Sequence, residues 1–406
     1  MRRATSSIFG YGLQKGDFEM IDRIKADVDE IFPKIRDIRR EIHRHPELRM
    51  KEFNTARIVK KELEGLGIEV FSEYAGTTAV LARIKGRKPG PVRAFRADMD
   101  ALPIKEETGL PYASEIDGVM HACGHDFNTS IVLGLAHILK MEKDSLEGEV
   151  IFVFQPGEEG GFGGRILAES GFIERFGISY IVAQHLYPDV PLGKIGYRKG
   201  LTTANADGFT ITVKGKGGHG ARPDRGVDPI VVACHIVVSL SAICAREVSP
   251  LDPTVITVGS IHAGTAGNIV PDTATLVGTI RTLGEKNRQF VAKRVEKLAK
   301  NIASGFRAEA DVQIGYGYPS LANDPEITDK LKKAGEVFLG EENVLEITEP
   351  TMGAEDFAFY LKRIPGTFYR LGVGPCEPLH SARFSPSEEV LKIGMGVNAT
   401  LALMFS

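Results

Sequence analysis

Residues 121–160, HACGHDFNTSIVLGLAHILKMEKDSLEGEVIFVFQPGEEG, decide how the chain is read. A Gly-containing turn, His121 to Asp126, opens an apolar helical stretch at 127–141, for which Asp126 is the expected N-cap. A short, continuously apolar run at 149–155 follows, of the buried-strand type, and it ends in Gln155-Pro156-Gly157-Glu158-Glu159-Gly160. Turn, helix, strand and turn in succession are the unit of a sheet covered by helices.

The same alternation extends in both directions. Ile21, Ile24, Val28, Ile31, Ile35, Ile38 and Ile42 recur at helical spacing and predict a helix over 18–44, ended by Pro46. A second helix is expected at 53–65, and strands at 80–84, 92–98 and 179–185. Apolar runs of this kind predict a largely parallel central sheet flanked by helices. From about residue 205 the pattern changes. Strand, helix, strand, strand, helix and strand over 205–315 read as a ferredoxin-like α+β sandwich. Alternation resumes at 316–406, where Ser385-Pro386-Ser387-Glu388 reads as a capping box opening the last helix. The expected organisation is therefore an α/β domain, 17–204 and 316–406, interrupted by an inserted domain at 205–315.

Length and composition agree with two domains. The chain has 406 residues, 43% hydrophobic and 25% charged, with a net charge of -3. That charge gives no reason to expect nucleic acid or an anionic membrane surface as partner. No run is read as reaching the ~20 apolar residues of a membrane helix. The first 16 residues lack a sustained apolar core and read as a frayed start rather than a signal peptide, with Met20 as an alternative start. Cys123, Cys234, Cys244 and Cys376 form no Cys-x-x-Cys pair, which predicts free thiols and a reducing cytoplasm.

The chemistry gathers where strands end. The strand at 92–97 delivers Asp98 and Asp100, that at 149–155 delivers Glu158 and Glu159, and that at 179–184 delivers His185. Open α/β sheets collect ligands at these carboxyl ends. Thiolate, imidazole and carboxylate together suit a borderline metal such as zinc or manganese. Taken singly, each residue has a plainer reading: a lone Cys is a small buried hydrophobe, a lone His a satisfied polar group, and a Glu-Glu pair solvated surface. Cys123 as a nucleophile with His125 as base is a further alternative. A phosphate-loop reading of Gly157 to Gly164 fails for lack of the Gly-Lys-Ser/Thr ending.

With these motifs in hand, the chain resembles the metal-dependent amidohydrolases that include aminoacylases, hippurate hydrolases, auxin-conjugate hydrolases and related carboxypeptidases. The resemblance runs in order through His43-Arg44-His45-Pro46-Glu47-Leu48, Arg96 to Pro103, His121 to Asp126, Gln155 to Gly160, Ala183-Gln184-His185, Gly217 to Pro223, Gly267 to Pro271, Gly278 to Arg281, Gly353 to Phe357 and Leu379-His380-Ser381. It implies a zinc-exopeptidase-like catalytic domain with an inserted lid and dimerisation domain. It also implies two divalent metal ions, zinc or manganese, with cobalt a candidate in vitro. Cys123, His125, Glu159, His185 and His380 match the ligand positions. Cys123 would bridge, with Glu159 and His380 on one ion and His125 and His185 on the other. Glu158 matches the general base. His219 matches a residue that stabilises the oxyanion in a partner's site, and Asn268 and Arg281 match substrate-holding positions. Many relatives carry His-x-Asp where this chain is read to have Arg96-Ala97-Asp98, and Asp where Cys123 stands. Arg96 stays protonated and cannot ligate, so Asp98 is expected to orient a ligand histidine. Glu355 and Asp356 are expected to brace loops near His380, and His43, His45 and Glu47 to be structural. The implied substrate is an N-acyl amino acid or short peptide with a free carboxylate, and the implied assembly a homodimer or homotetramer through the lid. A peptide-specific carboxypeptidase and a strict N-acetyl-amino-acid deacetylase are the competing readings.

Overall fold

The computed structural model describes residues 14–405. Residues 1–13, most of the stretch read as a frayed start, lie outside the described residues. The chain divides into two compact units: 1–199, 323–348 and 360–406 in the first, 200–322 and 349–359 in the second.

In chain order the first unit begins with α1 (Lys15–Arg44), α2 (Phe53–Gly65), β1 (Glu69–Tyr74), β2 (Ala79–Lys85) and β3 (Lys88–Asp98). Next come α3 (His125–Met141), β4 (Glu147–Gln155), two short helices α4 (Gly163–Glu169) and α5 (Phe172–Phe176), β5 (Ile178–Pro191) and β6 (Ile195–Tyr197). The second unit contributes β7 (Asn205–Lys214), α6 (Pro229–Ala242), β8 (Thr254–Ala263), β9 (Thr273–Thr282), α7 (Glu285–Gly305) and β10 (Glu309–Tyr318). The chain then returns to the first unit with α8 (Pro325–Leu339), β11 (Val344–Glu346), β12 (Gly366–Gly374) and α9 (Val390–Met404).

The first unit is built on an eight-stranded sheet in the order β1-β2-β4-β3-β5-β12-β6-β11. Its middle four strands, β4-β3-β5-β12, run parallel, and antiparallel pairs appear only toward the edges. Parallel strands are covered on both faces, and β4 from Val150 to Gln155 is accordingly buried at every position. Helix α3 is buried from His125 to Leu139, and α1 lays Ile24, Val28, Ile31 and Ile35 into the same core. Register sets the rim: Asp98 pairs with Gln155, and Arg96 pairs with Ala183, two residues before His185. Strand β5 runs on past His185 to Pro191, so this histidine lies within a strand instead of after one.

Three further expectations need correction. Helix α3 starts at His125 with Gly124 as N-cap, at φ 79, where an added Cβ would meet the Leu186 side chain at 3.0 Å. Asp126 is therefore not the cap; Arg39 and His43 draw its carboxylate away. The Ser385–Glu388 segment does not cap α9, which starts at Val390 without a side-chain cap. Glu388 instead binds Arg40 at 2.9 Å, and a half-buried ion pair, which Arg39 joins, outweighs a local turn. Finally, Pro229–Glu247 is long and apolar enough, by length and composition alone, to cross a membrane. Val232, Ala233, Ile236, Leu240 and Ile243 on one face belong to the second unit's core, which accounts for part of that apolarity.

That unit is a four-stranded antiparallel sheet in the order β8-β9-β7-β10. Phe209, Ile211 and Val213 of β7 point into its core with Leu276 and Ile280 of β9 and Val291 and Val295 of α7. Alternation with a period of two makes one face of the sheet apolar, as in β7 with its strict buried/half-buried pattern.

Candidate metal centre

Four segments of the first unit converge at the rim of the sheet. The turn before α3 supplies Cys123 and His125, the turn after β4 supplies Glu158 and Glu159, and β5 supplies His185. His380 comes from a distant loop and sits at φ 66. Its backbone N–H donates to the Ala122 carbonyl at 2.8 Å, which ties that loop to the Cys123 turn.

Cys123 Sγ lies 3.5 Å from His185 Nε2 and 3.3 Å from His380 Nε2, and Glu159 Oε1 lies 3.1 Å from His380 Nε2. Within the first unit, three sets of possible ligand atoms each fall within 4.8 Å of one another: Cys123 with His125 and His185, Cys123 with Glu159 and His380, and His125 with Glu158 and Glu159. Cys123 belongs to two of them.

The far sides of the rings show which nitrogens face the centre. His125 Nδ1 approaches two oxygens, the Asp100 carbonyl at 2.8 Å and Asp100 Oδ1 at 3.2 Å. His185 Nδ1 approaches the Leu186 carbonyl at 2.9 Å. Oxygens there can only accept, so both Nδ1 atoms carry hydrogen and donate. Each Nε2 lone pair is thereby left for the centre, the arrangement a metal-binding histidine adopts. His125 Nε2 is buried and makes no well-formed hydrogen bond. A buried donor set with an orphaned lone pair suits a cation.

The surrounding charges are strongly coupled. Burial opposes ionisation of Asp98, but His125, Arg96 and His185 outweigh it and hold the carboxyl down to about 2. Burial likewise opposes Glu159, and the hydrogen bond from His380, with His125 beside it, brings it down to about 2. Burial disfavours a charged His125 ring, yet Asp98 and Cys123 raise it well above its ordinary value. Burial pushes the Cys123 thiol up.

Asp98 does not make the expected hydrogen bond to a ligand histidine. Its Oδ2 lies 3.9 Å from His125 Nε2 and pairs with Arg96 at 2.6 Å, while Oδ1 accepts from Asn128 at 2.8 Å. The orienting partner of His125 is Asp100, whose carboxylate also accepts the Glu158 N–H at 3.0 Å and the Glu159 N–H at 2.9 Å. The Asp-x-Asp spacing signalled it: residues two apart on extended backbone face one side.

His219 is exposed on a two-residue strand, paired with Ile269, and its Nδ1 accepts from Ala221 at 3.0 Å. The Asn268 carbonyl accepts from Gly220 at 2.8 Å, and Arg281 is half-buried on β9. Glu355 and Asp356 are buried, with Glu355 accepting from the Phe357 N–H at 3.0 Å; all five residues belong to the second unit. His43 is buried between Asp126 and Glu106. His45 faces Glu41 and Glu115, and Glu47 caps α2 by accepting the N–H groups of Asn54 and Thr55 at 2.9 Å each.

Comparison with known proteins now identifies the architecture. Residues 94–404 match the family described as peptidase family M20/M25/M40. The thermostable carboxypeptidase 1 of Saccharolobus solfataricus is 40% identical over 396 residues, spanning 96% of this chain and 99% of its own. The N-acetylcysteine deacetylase of Bacillus subtilis is 40% identical over 367 residues, 90% of this chain and 95% of its own. Among solved structures, the Bacillus subtilis YxeP protein, described as a dinuclear metal-binding peptidase of the M20 family, superposes with a TM-score of 0.82 at 36% identity, covering 93% of this chain and 99% of its own. The chain belongs to peptidase family M20/M25/M40 and is a metal-dependent amidohydrolase.

Proposed function

We propose that the enzyme hydrolyses the amide bond of N-acyl amino acids or short peptides that bear a free carboxylate, with Glu158 as general base. The observation that carries this reading is the pair of donor sets sharing Cys123, with Glu158 in a third set beside them. On this reading Cys123, His125, Glu159, His185 and His380 would hold two divalent ions; zinc, manganese and cobalt would all suit this mixed donor set. Bound divalent cations supply Lewis acidity, acidifying water and polarising the amide carbonyl.

The chain's own groups do the proton work. Glu158 takes a proton as water adds to the carbonyl carbon. It returns that proton to the nitrogen as the C–N bond breaks, leaving a carboxylic acid and a free amino group. Asp100 keeps His125 in the Nδ1–H tautomer and holds the backbone of Glu158. His219, Asn268 and Arg281 are proposed to donate to the developing negative charge or the substrate carboxylate, contacts that can be worth roughly 3–4 kcal/mol. The second unit is the proposed lid and dimerisation domain. Its edge strand β8 carries exposed Val255 and Ile261, and Val238 on α6 is 73% exposed.

The activities that name the two relatives, carboxypeptidase and deacetylase, differ in what lies on the acyl side. Acetyl-, benzoyl- and peptidyl-amino acids assayed side by side separate them. Glu158→Gln should lose at least ~10³-fold in kcat while retaining metal. Wild-type turnover in that variant would remove Glu158 from the reaction, and negligible rates on all three substrate types with metal bound would defeat the proposed substrate class.

A further inference from the structure

The turn that carries Glu158 hangs from a carboxylate outside the donor cluster. Glu52 is 0% exposed, at the position just before α2. Its Oε1 accepts the Met50 N–H at 2.7 Å and the Gly157 N–H at 2.9 Å, and its Oε2 accepts the Thr78 hydroxyl at 2.7 Å. Asp100 takes the next two amides, those of Glu158 and Glu159. Three consecutive N–H groups thus end on two buried carboxylates. From the other side, Arg49 Nη1 donates to the Glu159 carbonyl at 2.7 Å.

The plainer role for a glutamate at a helix start is to cap it. Glu52 does not: its side chain makes no capping bond, and Glu47 already takes the Asn54 and Thr55 amides. Nor is the site comfortable for a carboxylate, since burial pushes Glu52 up to about 7. Gly157 has little freedom to find another partner. It sits at φ 63, and a Cβ there would meet Met50 Sδ at 2.6 Å. The acceptor therefore has to come to the amide.

We propose that Glu52 is a positioning residue: by holding the Gly157 amide it aims the Glu158 carboxylate at the reacting water. This rests on the reading of Glu158 as the base. Misplacing a reacting group by about 1 Å can cost ~10²-fold in rate, which sets the expected size.

The test compares Glu52→Leu, Glu52→Asp and Glu52→Gln in the metal-loaded, full-length enzyme, with Glu158→Gln as reference. Rates are normalised to folded protein of measured metal content. Leu removes the acceptor, and Asp withdraws it by one methylene while keeping the charge. Gln retains an oxygen for Met50 and Gly157 and turns its amide toward the Thr78 oxygen. Leu and Asp should lower kcat by ~10- to 100-fold with KM within about twofold of wild type. Gln should return kcat to within about threefold of wild type. A purely structural role would reduce the folded fraction and leave kcat per folded enzyme intact. Unchanged kcat in Leu and Asp overturns the proposal, as does a loss that Gln fails to rescue or one confined to KM. If the Leu variant does not fold, Asp and Gln decide alone. Activity surviving in Glu158→Gln would instead mark failure of the base assignment, a separate outcome.

Discussion

Two largely buried polar clusters diverge from consecutive residues at the start of α3, and they are built on opposite plans. His125 joins Cys123, Glu158, Glu159, His185 and His380, where lone pairs face one another across a shared space. Asp126 joins Arg39, His43, Glu106 and Glu388, where charges alternate. Asp126 Oδ2 meets Arg39 Nε at 2.8 Å and His43 Nδ1 at 2.8 Å, His43 Nε2 faces Glu106 at 3.3 Å, and Arg39 reaches Glu388 at 3.4 Å. The Arg39 guanidinium also lies 4.0 Å from the centre of the Phe127 ring. The second cluster balances its own charges, although Asp126 Oδ1 and Arg39 Nε make no well-formed hydrogen bond. The first is open, and what would close it is positive charge. The same residue types thus signal a scaffold when charges of opposite sign alternate and a binding site when several ligand atoms converge on one space.

Removing metal should break the comparison most sharply. Chelation is expected to abolish turnover and to lower thermal stability, by about 4 kcal/mol if the free ion had stood at a thousand times its Kd. Uptake should release protons, because the Cys123 thiol and the imidazoles must bind deprotonated. Activity assays and calorimetry with and without chelator check this. A melting curve indifferent to chelator, with undiminished activity, would mean that the open cluster is not a metal centre.

The closed cluster should fail differently. Arg39→Met leaves Asp126 buried against His43 alone and is expected to cost about 3–5 kcal/mol. Burial alone would raise the Asp126 carboxyl; Arg39, then His43, outweigh it and hold it far below the usual range. A depressed carboxyl contributes stability above its unfolded value and loses it as pH falls through the folded one. In wild type that loss is confined to strongly acid solution, whereas in Arg39→Met it should begin at higher pH. Denaturant titrations at several pH values measure both, and the surviving folded protein should still bind metal.

The contrast also explains what could be read from the sequence. Cys123, His125, Glu158, Glu159 and His185 could be grouped from the sequence because each flanks or interrupts an apolar run of the sheet or of the helix that covers it. The strands and helices of 205–315 were legible because their periodicity of two or 3.6 is local. Asp126 and Glu388 were misread because Arg39 and Arg40, 87 and 348 positions away in sequence respectively, outcompete the nearby backbone amides. Glu52 gave no signal at all. A glutamate opening an amphipathic helix looks like any solvated first-turn acid until the fold brings Gly157 to it.

Asp100 belongs to neither plan and sharpens the boundary between them. Its carboxylate satisfies two backbone amides, as a closed cluster would, and through His125 Nδ1 it also serves the open one. Asp100→Asn keeps the volume and one oxygen but presents an N–H where an acceptor stood. Either the Glu158 or the Glu159 amide then faces a donor, and His125 loses the negative charge that favours its Nδ1–H form. Partners of this kind typically govern 10- to 100-fold in metal affinity, about 1.4–2.7 kcal/mol. Metal titration of Asp100→Asn should therefore show weakened binding, with a global stability loss of about 1–3 kcal/mol from the amide left facing a donor, smaller than that of either preceding change. Wild-type affinity in that variant would show that the Asp100 carbonyl, which accepts from Nδ1 at 2.8 Å, suffices to set the His125 tautomer. The carboxylate would then matter only to the turn that carries Glu158.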